Sequence, residues 1–431
     1  MLLYRVLIFV VPAALWLMLA LLWIGGEHGR YLAILAAWGV PANPDLLFGD
    51  WYGVLSWAQC AREGLDVYRG NPCGRIMNYG PLWTVLLPHG WGTGDTAATG
   101  IVLDMVFLAT LPFVMRARTL AEFLVYCAAA TSPMVVLALE RANADAAIFV
   151  LVVVGAYGFS RGSFAARALG YLVWLLAGLL KFYPLVLLLL MVRERLALLF
   201  VACGAAALIL GAYAYVYWSE LAIIIPNTDV SGWYHYSFSV GHIAAGLADL
   251  FPSLRPPAHF EGVFTAALAL ALLGLAAGLS RRLARHVGPV DWRTVPNVQL
   301  VVGAVVIAAC YFTRNNYTYR AIFLLPTLPG FIEMARRHAE LRTLARWTLG
   351  TILGVMWSDT LIDSTRGVPW PVALPLPIQV DDTVWALREI AWCWIVAVLT
   401  ALVLAYVMQA PAGEAFRARL PAIAARRGAV P

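Results

Sequence analysis

Apolar stretches long enough to cross a bilayer recur from one end of this 431-residue chain almost to the other. Val6 to Ile24 contains no charged residue. Further runs follow at about 97–115, 119–139, 143–160, 168–180, 184–192, 196–217, 262–280, 296–312, 321–335, 344–362 and 386–407. About 20 such residues span a hydrocarbon core. Inside it every backbone N–H and C=O must be satisfied locally, which favours helices. The expected fold is therefore an all-α polytopic membrane protein with about 12 transmembrane helices. Composition agrees, at 62% hydrophobic and 13% charged, against roughly 45–50% and 25% in soluble domains. No stretch reads as an appended soluble domain, so residues 1–431 are expected to form one integral domain. The first run is longer than a signal-peptide core and lacks a small-residue cleavage site, so it reads as a retained helix.

Charge distribution sets the expected orientation. Basic clusters at Arg116 and Arg118, Arg161 and Arg167, Arg193 and Arg195, Arg281 to Arg285, and Arg336 to Arg346 fall between spans on one side. Basic loops stay in the cytoplasm. Both termini are therefore expected inside, in a multi-pass protein of the cell inner membrane. Three large loops then face outward, at about 25–96, 218–261 and 363–385. The first opens with a short interfacial helix near Tyr31 to Trp38. The tail, 408–431, reads as a basic anchor to anionic membrane lipids. The net charge of +6 is accounted for by this bias, and no nucleic-acid partner is expected.

Lys181 is the single lysine; every other basic residue is arginine. It lies inside an apolar stretch from Tyr171 to Met191. A charge at membrane depth costs about 2.5–3.5 kcal/mol on insertion scales, so it usually faces a cavity and a partner. A compact ammonium suits a phosphate; the alternative is snorkelling to an interface. From Arg167 to Lys181 is 14 residues, about 21 Å of helix, short of a core of roughly 30 Å. Pro184 then interrupts the helix. Both flanking arginine clusters belong inside. The segment thus reads as two short helices meeting at Lys181-Phe182-Tyr183-Pro184, with Lys181 pointing into a cavity open to the outer side. Its partner is either a lipid phosphate or a carboxylate such as Asp104.

Other polar residues in apolar surroundings are candidates for the same site. Asp50 follows Leu46-Leu47-Phe48-Gly49 and precedes Trp51; it is a candidate general base or a helix N-cap. Tyr79 and Trp83, in Asn78-Tyr79-Gly80-Pro81-Leu82-Trp83, either line a substrate or mark a loop-to-helix junction. Arg141 and Asn143 are candidates to hold a polar headgroup, although Arg141 and Asp145 are also spaced to pair on one helix face. Arg314, Asn316, Tyr319 and Arg320 form a second knot suited to phosphate and sugar hydroxyls, or to lipid phosphates by snorkelling. Tyr183 is added as a substrate contact. His235 and His242 could assist an acceptor or serve neither role. Cys60 and Cys73 are expected to form a disulfide in the oxidising outer loop. The other four cysteines read as small hydrophobes. No metal-ligand spacing or nucleotide loop is present, so no cofactor is expected and a divalent metal is not indicated.

In their order along the chain, these pieces resemble a GT-C glycosyltransferase. The closest likeness is to bacterial polyprenyl-phosphate-mannose-dependent mannosyltransferases. The resembling parts are the first outer loop with Asp50, the Asn78–Trp83 stretch, Glu140–Asp145, Leu180–Pro184 and Asn315–Arg320. The resemblance implies a GT-C-like bundle with outer-face loops and short interfacial helices. It implies a sugar moved from a polyprenyl-phosphate donor to a lipid or glycan acceptor hydroxyl at the outer, periplasmic face. Asp50 would be the general base of an inverting displacement, and Lys181, Arg314 and Arg320 would hold the leaving phosphate. The family often has Tyr-Pro-Pro where this chain has Tyr79-Gly80-Pro81. Two other readings use the same residues: a lipid-linked glycan polymerase or ligase, and a transporter or flippase of a lipid-linked or anionic solute.

Overall fold

The computed structural model describes residues 2–227, 234–250, 259–287, 294–313, 316–369 and 379–411. Arg314, most of the tail and parts of the second and third outer loops lie outside the described residues. About 80% of the structure is helical, as an all-α polytopic membrane protein requires. Among the described residues, six helices are long and apolar enough to cross a membrane: Leu2–Ile24, Thr93–Val114, Leu196–Val216, Phe260–Arg285, Val295–Thr313 and Val380–Gln409. A seventh span arises if Leu120–Ala130 and Pro133–Glu140, bent by 47°, count as one. The expected count of about twelve is not reached by such helices, because several apolar runs fold as shorter segments. Ala144–Phe159, Phe164–Leu180 and Tyr183–Arg193 are the important ones.

Val295–Thr313 and Val380–Gln409 are mostly buried and form the centre of the bundle, whereas Leu196–Val216 and Phe260–Arg285 stand at its rim with apolar faces exposed. In a bilayer, exposed leucine and valine face acyl chains rather than water.

The segment around Lys181 folds back on itself. Helix Phe164–Leu180 ends at Lys181, whose backbone is extended (φ −153°, ψ 98°). The chain returns as a 3₁₀ helix, Tyr183–Arg193, instead of the expected α-helix. At the base of this hairpin, Arg167 grips Glu194 through Nε and Nη2 at 2.5 and 2.6 Å. Tyr171 donates to the same carboxylate at 2.9 Å. The two ends therefore lie side by side, and Lys181 is at the far tip. The 3₁₀ form has a physical reason. It rises about 2.0 Å per residue against about 1.5 Å for an α-helix. Eleven residues thereby return most of the distance that seventeen covered on the way out.

The base of the hairpin marks one end of the bundle. Tyr406, near the close of the last helix, donates to the Leu190 carbonyl at 2.8 Å. Arg118 and Arg337 share a cavity with Tyr406, and Arg336 pairs with Glu122. Tyr4, at the start of the first helix, stacks on Phe123 with ring centroids 5.5 Å apart. The first residues of the first helix, the last of the final one and Arg118, Arg167, Arg336 and Arg337 thus share one end. Lys181 belongs to the other.

Candidate active site

Asp50 is carried by helix Gly49–Arg62, in its first turn, where a carboxylate is favoured by the helix dipole. The N-cap position belongs to Phe48, which removes the capping alternative for Asp50. Phe48 has a left-handed backbone (φ 63°), and so has Ala142 (φ 39°). The two strained residues lie on neighbouring segments. Phe48 N–H donates to the Glu140 carbonyl at 3.2 Å, and Trp51 N–H to the Arg141 carbonyl at 3.3 Å. Such residues cost about 1–3 kcal/mol each and persist where surrounding structure enforces them. Here the result is visible: the bend at Ala142 turns both of its neighbours onto Asp50. Arg141 Nη1 reaches Asp50 Oδ1 at 3.4 Å and Asn143 Nδ2 reaches Oδ2 at 2.5 Å. The same bend ends one helix at Glu140 and starts the next at Ala144. Arg141 and Asp145 therefore do not pair as a helical i,i+4 couple.

Asn143 links Asp50 to the lysine. Its Oδ1 caps helix Ala144–Phe159 by accepting from Asp145 N–H at 2.8 Å and also accepts from Lys181 Nζ at 3.1 Å. Lys181 is 4% exposed, and its protein partner is Asp145, at 2.7 Å. Asp104 does not fill that place; it is buried elsewhere, in helix Thr96–Val114. Asp145 is further bound by Arg320 Nε at 3.2 Å and Tyr183 OH at 2.8 Å. Arg320 in turn donates to Asn316 Oδ1 and lies over the Tyr183 ring, 5.0 Å from its centroid. Burying such charges is tolerated because each has a partner of opposite sign and further hydrogen bonds.

The first outer loop closes over the lysine. The Tyr79 ring lies 4.2 Å from Lys181 Nζ, a cation–π contact. Burial, with the charges of Asp50 and Asp145 nearby, pushes its phenol well above the usual range, so the ring remains neutral. The loop is anchored on carbonyls left unsatisfied at the end of helix Phe164–Leu180. Gly80 N–H and Trp83 Nε1 both donate to the Leu180 carbonyl, at 3.0 and 3.1 Å. A Cβ on Gly80 would sit 1.9 Å from the Leu179 carbonyl oxygen. A side chain at this position would therefore collide with backbone, which demands glycine. We expect Gly80→Ala to cost about 1–3 kcal/mol as an overpacking change and to lift Tyr79 off Lys181. A melting temperature equal to wild type would contradict this. Cys60 and Cys73 are joined by a disulfide, Cα atoms 6.5 Å apart, which ties the Asp50 helix to the same loop. Closing a loop of this size contributes about 3 kcal/mol in the chain-entropy description.

These residues enclose a cavity of about 190 Å³. Asp50, Arg141, Lys181, Arg320, Tyr79, Tyr319, Tyr183 and Asn316 line it. Arg75, Arg141, Lys181 and Arg320 outnumber by one the carboxylates of Asp50, Asp145 and Glu140, the last 4.0 Å from Arg141 Nε, which favours an anion.

Other expected site residues fall elsewhere. Trp83 is buried outside the cavity lining, edge-on against Trp51 at 5.9 Å, and anchors the loop, as the junction reading expected. Its indole N–H is consumed by the Leu180 carbonyl. Asn143 lies behind the cavity wall as a bridge. His242 is buried in helix Val240–Leu250, and the His235 carbonyl accepts from Arg388; neither histidine lines the cavity. Asp145, Trp57, Arg75 and Tyr317 were not expected at the site, and the last three also line the cavity. Asp145 was open to detection. Helices Ala144–Phe159 and Phe164–Leu180 are joined by a short turn, which sets the start of one beside the end of the other. Among the described residues no three metal-ligating side chains converge.

Fold and site together define a polytopic helical membrane protein with a partly open, cationic cavity at one end of its bundle. No family model matches the chain, and neither a curated protein nor a solved structure matches it.

Proposed function

We propose that this protein is a GT-C-like glycosyltransferase of the inner membrane. It moves a sugar from a polyprenyl-phosphate donor to a lipid or glycan hydroxyl, with inversion. The observation that carries the reading is the convergence of Asp50 and Lys181 in one cavity, linked by Asn143. Asp145 is fully enclosed and held by two cations and a tyrosine. Asp50 is held by two contacts and faces the cavity. That difference supports Asp50, not Asp145, as the base. In the reaction, an Asp50 oxygen takes the acceptor hydroxyl proton. The acceptor oxygen forms a bond to the anomeric carbon while the bond from that carbon to the phosphate oxygen breaks. The phosphate leaves with the electron pair and needs no protonation, because Lys181 and Arg320 stabilise its charge from fixed positions. Tyr79, Tyr319 and Tyr317 offer ring faces and hydroxyls to a sugar.

The gathering of arginines with both ends of the described chain at the pole opposite Lys181 supports a cytoplasmic placement of that pole. The cavity then faces the periplasm.

The test supplies purified protein with polyprenyl-monophosphate sugars, polyprenyl-diphosphate glycans and an acceptor lipid extract. Transfer from the monophosphate donor is the expected result. Transfer from the diphosphate alone would favour the polymerase or ligase reading. Movement of lipid-linked solute across vesicles without transfer would favour a transporter.

A further inference from the structure

A second cavity, of about 320 Å³, opens at the other pole. The two cavities take opposite ends of the central helix Val295–Thr313: Thr313 lines the first, Pro296 and Asn297 the second. The inner wall of the second is apolar, with Leu283, Leu300, Met334 and Leu402. Its rim carries Arg118, Arg337, His338 and Glu333. Glu333 pairs with Arg337 at 2.5 Å and with Arg118 at 3.8 Å. One carboxylate serves two guanidiniums, so the rim keeps one positive charge without counting the histidine. Both arginine side chains are more than half exposed (58% and 62%) and can turn toward a ligand. The proposed reaction uses none of these groups.

We propose that this cavity binds the phosphate diester headgroup of an anionic phospholipid, with the upper acyl chain against the apolar wall. A free phosphate has no use for that wall, and a zwitterionic lipid brings an ammonium that the rim arginines repel. Basic recesses between helices at the cytoplasmic surface are suited to this ligand class.

The test is native mass spectrometry of the full chain released from vesicles of phosphatidylglycerol and phosphatidylcholine. Preferential retention of phosphatidylglycerol is expected. The Arg118→Gln/Arg337→Gln double variant should lose roughly 30-fold of that retention. Glu333→Gln should gain, because it removes the competing carboxylate, an effect a purely structural ion pair would not produce. The melting temperature of each variant in zwitterionic detergent serves as the folding control. Equal retention of the two lipids, or unchanged retention in the double variant, would overturn the proposal. So would displacement of the bound lipid by inorganic phosphate at equal concentration.

Discussion

Asp50→Asn is expected to lower sugar transfer by roughly 10²–10⁴, the range for loss of a positioned general base, while leaving the fold intact. The substitution keeps the size of the side chain. An amide oxygen can still accept from Arg141 Nη1 or Asn143 Nδ2, which now hold the carboxylate at 3.4 and 2.5 Å. What disappears is the capacity to take a proton from the acceptor. The loss should therefore fall on turnover, with donor affinity nearly unchanged, because the phosphate is held by other residues. A variant that transfers sugar as fast as wild type would remove Asp50 from the mechanism. A variant that fails to fold would point instead to a structural role for the contacts of the carboxylate with Arg141 and Asn143.

Lys181→Met is expected to affect both stability and transfer, and the two effects can be separated. Removing one partner of a buried pair typically costs about 3–5 kcal/mol. Asp145 still has Arg320 at 3.2 Å and Tyr183 at 2.8 Å, which argues for the lower end. Transfer should fall roughly 10²–10³-fold, as when one preplaced donor to a developing charge is lost. Adding Asp145→Asn removes the uncompensated carboxylate. The double variant should recover most of the melting temperature and none of the transfer. Recovery of both would mean that the lysine merely neutralises Asp145.

Much of this site was legible in the sequence, for a physical reason. Charges are rare at membrane depth, so Lys181, Arg141 and Arg320 stood out against their apolar neighbours, and all three meet in one cavity. The reversal at Lys181-Phe182-Tyr183-Pro184 followed from a length too short to cross and a proline that ends a helix. The 3₁₀ return arm did not follow, since nothing in local propensity asks for eleven residues in that form. Asp145 as the partner of Lys181 was likewise closed to hydropathy, which singles out Asp104 no less than Asp145. Only the pairing of two helices across a short turn brings Asp145 level with the lysine. Trp83 and the histidines lie off the cavity, and residue type alone left both of their readings open, because aromatic and titratable side chains serve as anchors as readily as contacts. The bends at Phe48 and Ala142 leave no mark in residue type at all. Gly80 likewise gave no local signal of its role, a packing requirement against the Leu179 carbonyl.

The central claim is that Lys181 and Arg320 receive the phosphate of a lipid-linked sugar beside Asp50. The most direct measurement is a structure of the protein with a non-hydrolysable polyprenyl-phosphate sugar. The phosphate is predicted within about 3 Å of Lys181 Nζ and of the Arg320 guanidinium, with the anomeric carbon turned toward Asp50. A phosphate bound away from this cavity, with Lys181 still closed on Asp145 alone, would contradict the account.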